Sequence, residues 1–336
     1  MTLHFTALRR ARRAALLLAV LGGAAPAWGA TTCTASSPNL SFGNVVMNVG
    51  PVDTAATVTV QCNTFGLSLL ATARVRMCLR IGNGSGGVSG GDRLMKNTHG
   101  DALRFHIYRD AARSQIWGAD TANEVKRDLE YSVPVLGGSG STTATMYGRV
   151  PAQAGLAEGA HSSNFSGADA VVLYRYAEQL LGTPAYPASC TSGGDGGGSI
   201  SFPFTATANV PSTCTITNVA PLQFGSVSGL IQANVDQSTT LNFTCTGRTA
   251  WQVSLDNGLH ASGQTRRMQM GTSHVSYELY RDDARTQRWG NTPNTDTAPG
   301  TGTGGSQSLT VYGRVPQPQS VTPGAYADTV LVTIHY

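Results

Sequence analysis

Residues 105–118 read FHIYRDAARSQIWG, and residues 277–290, 172 positions later, read YELYRDDARTQRWG; eight of the fourteen positions are identical. The match is the centre of a longer duplication. LSFGNV (40–45) corresponds to LQFGSV (222–227), each a few residues after a cysteine, Cys33 or Cys214. VTVQC ending at Cys62 corresponds to LNFTC ending at Cys245, IGNG (81–84) to LDNG (255–258), and MYGRVP (146–151) to VYGRVP (311–316). Both copies close on an alternating run, DAVVLYRY (169–176) and DTVLVTIHY (328–336). Repeats this long exceed the roughly 20–50-residue period of a solenoid, so the pattern specifies two domains of one fold.

The copies alternate with period two at Val58, Val60 and Cys62, at Leu241, Phe243 and Cys245, and at Val330, Val332, Ile334 and Tyr336. Clusters such as GNGSGGVSGGD and PNTDTAPGTGTGG separate the runs. Six or seven short strands per copy with glycine-rich connections predict an all-β fold, an antiparallel β-sandwich in each copy. VVLYRYAEQLL could form an amphipathic helix, but its partner in the second copy is β-branched, which predicts a strand first and a loop after Tyr176. The repeated phrase then reads as a strand entering a turn, with an Arg–Asp–Arg group at the surface beside Trp117 or Trp289. Burial in the core accounts for those tryptophans better than a carbohydrate platform does.

Residues 1–30 carry Arg9, Arg10, Arg12 and Arg13 before an apolar run too short to span a bilayer, which predicts a secretory signal peptide cleaved after Ala27 or Ala30. Removing those four arginines from 23 basic against 19 acidic residues leaves a net charge of zero. No basic patch remains to attract nucleic acid, and no membrane insertion is expected after signal removal. Six cysteines remain in an exported chain, and fifteen disulfide pairings are open to them. Equivalence between the copies selects Cys33–Cys62 and Cys214–Cys245, leaving Cys78 with Cys190. Each repeated bridge closes a loop of about 30 residues, worth roughly 3 kcal/mol in the chain-entropy model.

Catalysis finds little support. GNGSGG and GTGTGG fit G-x-G-x-x-G, but neither lies at a strand-to-helix turn. There is no G-x-S-x-G elbow, no Cys-x-x-Cys, and the histidines lack ligand spacing; no metal or other cofactor is expected.

The early cysteine, L-x-F-G-x-V, the strand-end cysteine, YRD…R…WG, YGRVP and the closing alternating strand together resemble the spore coat protein U domain. The resemblance spans essentially the whole mature chain. It implies a pilin-like, immunoglobulin-like sandwich of the kind that builds archaic chaperone–usher pili of the Csu type. Two tandem copies behind a signal peptide resemble the tip adhesin of such a fibre, exported through the periplasm to the cell surface. The partners implied are a periplasmic chaperone, an outer-membrane usher and an adjacent pilus subunit. In that family a pilin lacks its last strand, and a partner supplies it by β-strand addition.

The residues agree with that rule in an uneven way. The second copy (211–336) stops at Tyr336, one strand short, so Val330, Val332, Ile334 and Tyr336 should border an open groove. The first copy (31–210) continues through SISFPFTATANV (199–210), where Ile200, Phe202, Phe204, Ala206, Ala208 and Val210 alternate. This segment should complete the first copy in cis. TTCTASSPNL reaches Cys33 with no alternating extension to donate, which points to a fibre terminus.

The copies differ mainly in loops. Cys62 to Asn83 spans 21 positions against 12 from Cys245 to Asn257, and Gly118 to Tyr147 spans 29 against 22 from Gly290 to Tyr312. The excess brings Phe65, Leu67, Leu69 and Leu70, then Tyr131, Val133, Val135 and Leu136. EQLLGTPAYPASC adds Leu180, Leu181 and Tyr186. Strand order places these three connections at one pole of the first sandwich, away from the second copy, as candidate surface-binding loops for abiotic or apolar host surfaces. A structural coat or shaft subunit and a secreted carbohydrate-binding lectin are the alternatives.

Overall fold

The computed structural model describes residues 30–66, 70–227 and 230–336. Apart from Ala30, the expected signal peptide lies outside them, as do Leu67 and Leu69. The first copy contributes β1 (Ala30–Ser36), β2 (Leu40–Asn44), β3 (Val52–Phe65), β4 (Ala71–Ile81), β5 (Val88–Ser89), β6 (Asp92–Lys96) and β7 (Ala102–Tyr108). It continues with β8 (Val125–Val133), β9 (Gly138–Val150), β10 (Gly159–Phe165), β11 (Ala170–Leu180), β12 (Gly196–Ser201) and β13 (Phe204–Val210). The second copy contributes β14 (Cys214–Val219), β15 (Leu230–Ile231), β16 (Val235–Cys245), β17 (Ala250–Leu255) and β18 (Arg266–Met270). Its remaining strands are β19 (Ser273–Tyr280), β20 (Ala298–Thr301), β21 (Ser306–Val315), β22 (Gln319–Ser320) and β23 (Val332–His335).

Two sandwiches result, each with its own core. In the first, a long curled sheet in the order β1-β3-β9-β7-β6-β10-β13-β2, with β5 on β6, faces a four-stranded sheet β12-β11-β4-β8. In the second, β14-β16-β21-β19-β18 faces β20-β17-β23, with β15 and β22 as a separate pair. The period-two pattern is what buries one face of each strand: Val58, Val60 and Cys62 point into the first core, and Leu241, Phe243 and Cys245 into the second. β11 continues four residues beyond the expected limit at Tyr176, to Leu180, because its ladder with β4 runs unbroken from Ala170↔Ile81 to Leu180↔Ala71.

Three disulfides join Cys33–Cys62, Cys78–Cys190 and Cys214–Cys245. The repeated pair links residues that are direct partners across β1–β3 and β14–β16.

The segment 199–210 is two strands rather than one. Residues 196–201 pair with β11, the chain crosses between the sheets at Phe202 and Pro203, and β13 then lies between β10 and β2. β13 runs parallel to β2, so the sandwich is not purely antiparallel; the other ladders between named strands are antiparallel. Phe202, Phe204, Ala206, Ala208 and Val210 are buried, and Ile200 is partly so. Phe204 stacks on Phe165 with ring centroids 4.5 Å apart.

The repeated phrase is structural. Trp117 and Trp289 are fully buried, and each indole N–H donates to a strand carbonyl, Leu79 at 2.9 Å or Val253 at 2.8 Å. Asp110 and Asp282 do not bridge their neighbouring arginines; each accepts the backbone N–H groups of its own turn, from Ser114 and Gln115 or Thr286 and Gln287. The nearby arginines instead meet a strand carboxylate, Arg113 and Arg149 at Asp53, Arg285 and Arg314 at Asp236. The glycine of YGRVP has a clear cause: a Cβ on Gly148 would strike Phe42 and Leu40, and one on Gly313 would strike Phe224 and Leu222. Two motifs far apart in sequence therefore touch in both copies.

The sandwiches meet through loop 152–158. Gly247 N–H donates to the Leu156 carbonyl at 2.8 Å and Glu158 N–H to the Gly247 carbonyl at 2.9 Å. Arg248 pairs with Asp101, and Glu158 accepts from Ser212 and Thr249.

Candidate functional site

Three loops converge at one end of the first sandwich. The ladders place Thr64 opposite Gly138, and Ala71 between Val133 and Leu180. Leu181 N–H donates to the Leu70 carbonyl at 3.2 Å, tying two of the loops together. Phe65, Leu70, Val135, Leu136, Leu180 and Leu181 are 51–78 % exposed there. Leu70, Leu136 and Leu181, one per loop, hold φ of 51°, 84° and 50°. In this left-handed region a Cβ crowds the backbone, and a turn would normally use glycine or asparagine. A leucine there sits against the backbone's preference.

The same geometry corrects three expected surface residues. Tyr131 and Val133 are buried, because β8 extends to Val133 and its alternation sends Leu129, Tyr131 and Val133 inward. Tyr186 lies off the pole: its ring sits 4.6 Å from the Arg74 guanidinium and 5.5 Å from that of Arg76, on the outer face of the four-stranded sheet. Beneath the apolar end is a polar chain. The Tyr131 hydroxyl lies 2.8 Å from Thr64, the two threonine hydroxyls of Thr31 and Thr64 are 2.6 Å apart, and Thr31 donates to Glu178 at 2.5 Å. Burial pushes the Glu178 carboxyl up from its ordinary value, opposed by the Thr31 hydrogen bond and assisted by Asp195.

The second sandwich carries the other site, an apolar groove. In the first, Leu40 and Phe42 lie on β2, which pairs with β13, and are buried; their counterparts Leu222 and Phe224 are only partly buried. Two adjoining hollows of about 470 and 610 Å³ share Leu222, Phe224, Met268 and Tyr326. Val330 and Val332 line the smaller one. Ile334 packs on the core from β23, and Tyr336 is exposed. Residues 321–331, which correspond to β10, form no ladder, since β10 in the first sandwich pairs along its whole length with β13.

Sequence reasoning missed Arg93 and Arg266. Both are buried and donate to the carbonyls that end a core strand and to the tryptophan carbonyl: Ile81 and Trp117, or Leu255 and Trp289. Burial pushes the Arg93 guanidinium down to about 10. The shared Arg-x-Met at 93–95 and 266–268 was the available signal. Among the described residues there is no cluster of metal-ligating side chains and no helix long and apolar enough to cross a membrane.

The arrangement defines a class: a tandem pair of pilin-like sandwiches, one closed by its own strand and the other open. The chain belongs to the Spore Coat Protein U domain family, whose model matches residues 24–166 and 200–333. It is 36 % identical to Protein U of Myxococcus xanthus over 145 residues, covering 38 % of this chain and 80 % of that protein. Among solved structures it is similar to the CsuC–CsuE chaperone–tip adhesion subunit pre-assembly complex of Acinetobacter baumannii Csu pili, at a TM-score of 0.45 and 16 % identity over 91 % of this chain and all of that one. It also resembles the CupB6 tip adhesin of Pseudomonas aeruginosa, at a TM-score of 0.33 and 14 % identity over 90 % and 93 % of the two chains.

Proposed function

We propose that the chain is the tip adhesin of a chaperone–usher pilus, promoting surface attachment and biofilm formation. Residues 31–210 act as the adhesive domain and residues 211–336 as the anchoring domain. The observation that carries the reading is the apolar pole, where three loops each expose a leucine in a left-handed conformation that its backbone disfavours. Exposed apolar clusters of this kind cost solubility and mark contact surfaces. Contact with plastic or an apolar host surface buries area at roughly 25 cal/mol per Å², with little chemical selectivity.

The open groove supports the anchoring half. A periplasmic chaperone holds it during export, and an adjacent subunit fills it after passage through the usher, by addition of an extended strand. Leu222 and Phe224 await the cover that Leu40 and Phe42 already have.

The test is a triple variant, Leu70→Asp, Leu136→Asp and Leu181→Asp, in cells that still assemble pili. Attachment to polystyrene should be lost, and wild-type attachment should persist at high salt, since a neutral chain offers little charge attraction to screen. Undiminished adhesion by the variant, or displacement of the wild type by a soluble neutral glycan, refutes the apolar mechanism.

A further inference from the structure

The open groove and the closed sandwich correspond residue by residue. Lys96 pairs with Ser162 and Gln269 with Ala327, each three residues after the buried arginine of its copy. Ser85 N–H donates to the Asn164 carbonyl at 2.8 Å, and Leu259 N–H to the Thr329 carbonyl at 3.1 Å. Residues 159–165 of β10 therefore correspond to 324–330. In the first sandwich Phe165 lies opposite Phe204 of β13, Ser163 opposite Ala206 and His161 opposite Ala208, all of them buried. A strand added to the second sandwich in the same register would set its residues opposite Val330, Asp328 and Tyr326.

At the middle position the copies differ in kind. Ser163 is fully buried and accepts the Gly86 N–H at 3.0 Å. Its counterpart Asp328 places a carboxylate in the wall of a hollow that Leu222, Phe224, Met268 and Val330 also line. Asp328 accepts the Leu259 N–H at 3.0 Å, the His260 N–H at 3.3 Å and the Tyr277 hydroxyl at 2.7 Å. Tyr277 stands where Phe105 does in the first sandwich, each opposite the buried arginine of its copy. Burial and the Asp328 hydrogen bond push its hydroxyl up, so it stays a donor. All three donors are neutral. A carboxylate offers about four acceptor sites, and solvent can satisfy the remainder only while the groove is open. Core formation does not call for this pair, since the first sandwich closes over Phe105 and Ser163.

We propose that Asp328 selects the strand that fills the groove: the segment donated by the adjacent subunit carries, opposite Asp328, a side chain that donates a hydrogen bond, between apolar residues facing Val330 and Tyr326. The inference rests on the reading of the groove as a strand acceptor. Directly opposed residues of an antiparallel pair have Cβ atoms about 4.5–5.5 Å apart, within reach of a hydroxyl. An aliphatic residue there covers the carboxylate without replacing its water, which is the unfavourable way to bury a charge. The chain's own completing segment has Ala206 at this position. Asp328 thus also disfavours a second copy lending residues 196–210 to the groove, and directs the fibre toward an unlike subunit.

The experiment titrates the full mature chain with fluorescein-labelled synthetic peptides of residues 196–210, read by fluorescence anisotropy. The peptides carry Ala206 unchanged, Ala206→Thr or Ala206→Val; the last two share a shape and differ in one hydroxyl. The threonine peptide should bind about tenfold or more tighter than the valine peptide, as one hydrogen bond to a charged group requires, and tighter than the unchanged one. It should slow hydrogen exchange at 321–331 and leave β10 unaffected. Asp328→Ala with Tyr277→Phe should bring the threonine and valine peptides to equal affinity. Tyr277→Phe with Asp328→Ser, the pair with which the first sandwich folds, should give an intermediate preference. No saturable binding of any peptide, or protection in β10 instead of 321–331, refutes the strand-acceptor reading and this inference with it. Valine or unchanged peptide binding as tightly as threonine, or a threonine preference that survives loss of Asp328, overturns this inference alone.

Discussion

Phe204→Ala tests whether the first sandwich depends on its own completing strand. Phe204 is 4 % exposed and lies face to face with Phe165, 4.5 Å between centroids at an interplanar angle of 3°. Truncating a buried phenylalanine typically costs about 3–5 kcal/mol, and the lost ring stacking belongs to the upper part of that range. A domain's whole stability is roughly 5–15 kcal/mol, so a folded population remains while the opening equilibrium shifts by about three to almost four powers of ten. Amide hydrogen exchange on the full chain resolves this by region. The N–H groups of β10, whose seven residues pair with β13 from Gly159↔Val210 to Phe165↔Phe204, should exchange at least about a hundredfold faster. The β16–β21 ladder belongs to a separate core and should not change. If the β10 amides accelerate by less than about threefold, β13 is a passive linker and the reasoning is wrong.

Leu136→Gly should relieve a left-handed strain and raise stability by about 0.5–1 kcal/mol, read by urea denaturation, while lowering attachment to polystyrene. Glu178→Gln should remove a pH dependence. The folded carboxyl is raised, so its contribution is complete below the ordinary value of 4.5 and is lost as pH rises through the folded value; the variant should match the wild type in acid and exceed it in thermal stability at neutral pH. Asp101 behaves oppositely, its carboxyl held down at about 2, chiefly by the Arg248 hydrogen bond. The contact between sandwiches should therefore be intact above the ordinary value of 3.8 and loosen as pH falls toward 2. Small-angle scattering should show that loosening, and Arg248→Ala should reproduce it at neutral pH.

The duplication made much of this legible. Equivalent cysteines selected one pairing among fifteen, and alternation located the core faces, because both signals depend only on order along the chain. Directions set by tertiary contacts were harder. Tyr131 and Val133 were assigned to a loop from its excess length, although Leu129, Tyr131 and Val133 carry the alternation that continues β8 inward. Tyr186 sits next to the pole in sequence, yet the Cys78–Cys190 bridge and the bonds from Arg74 and Arg76 to the Pro184 and Pro187 carbonyls fold its loop back along the sheet. The groove was anticipated from the last strand alone; Leu222, Phe224, Met268 and Tyr326 line it from elements distant in sequence. Left-handed φ at leucine has no sequence signal at all, since nothing in the residue type announces it.

β9 has one end at the apolar pole, at Gly138, and the other at Val150, where the chain enters the loop that meets the second sandwich. Tension applied between an attached pole and an anchored second domain would thus run along β9 and its thirteen-residue ladder with β3. Hydrogen bonds between strands lie perpendicular to the strand axis, so a pull in that direction shears the whole ladder at once instead of peeling it pair by pair. On the proposed function, the alignment that separates the apolar pole from the second sandwich would also set the domain in its mechanically stiffest orientation.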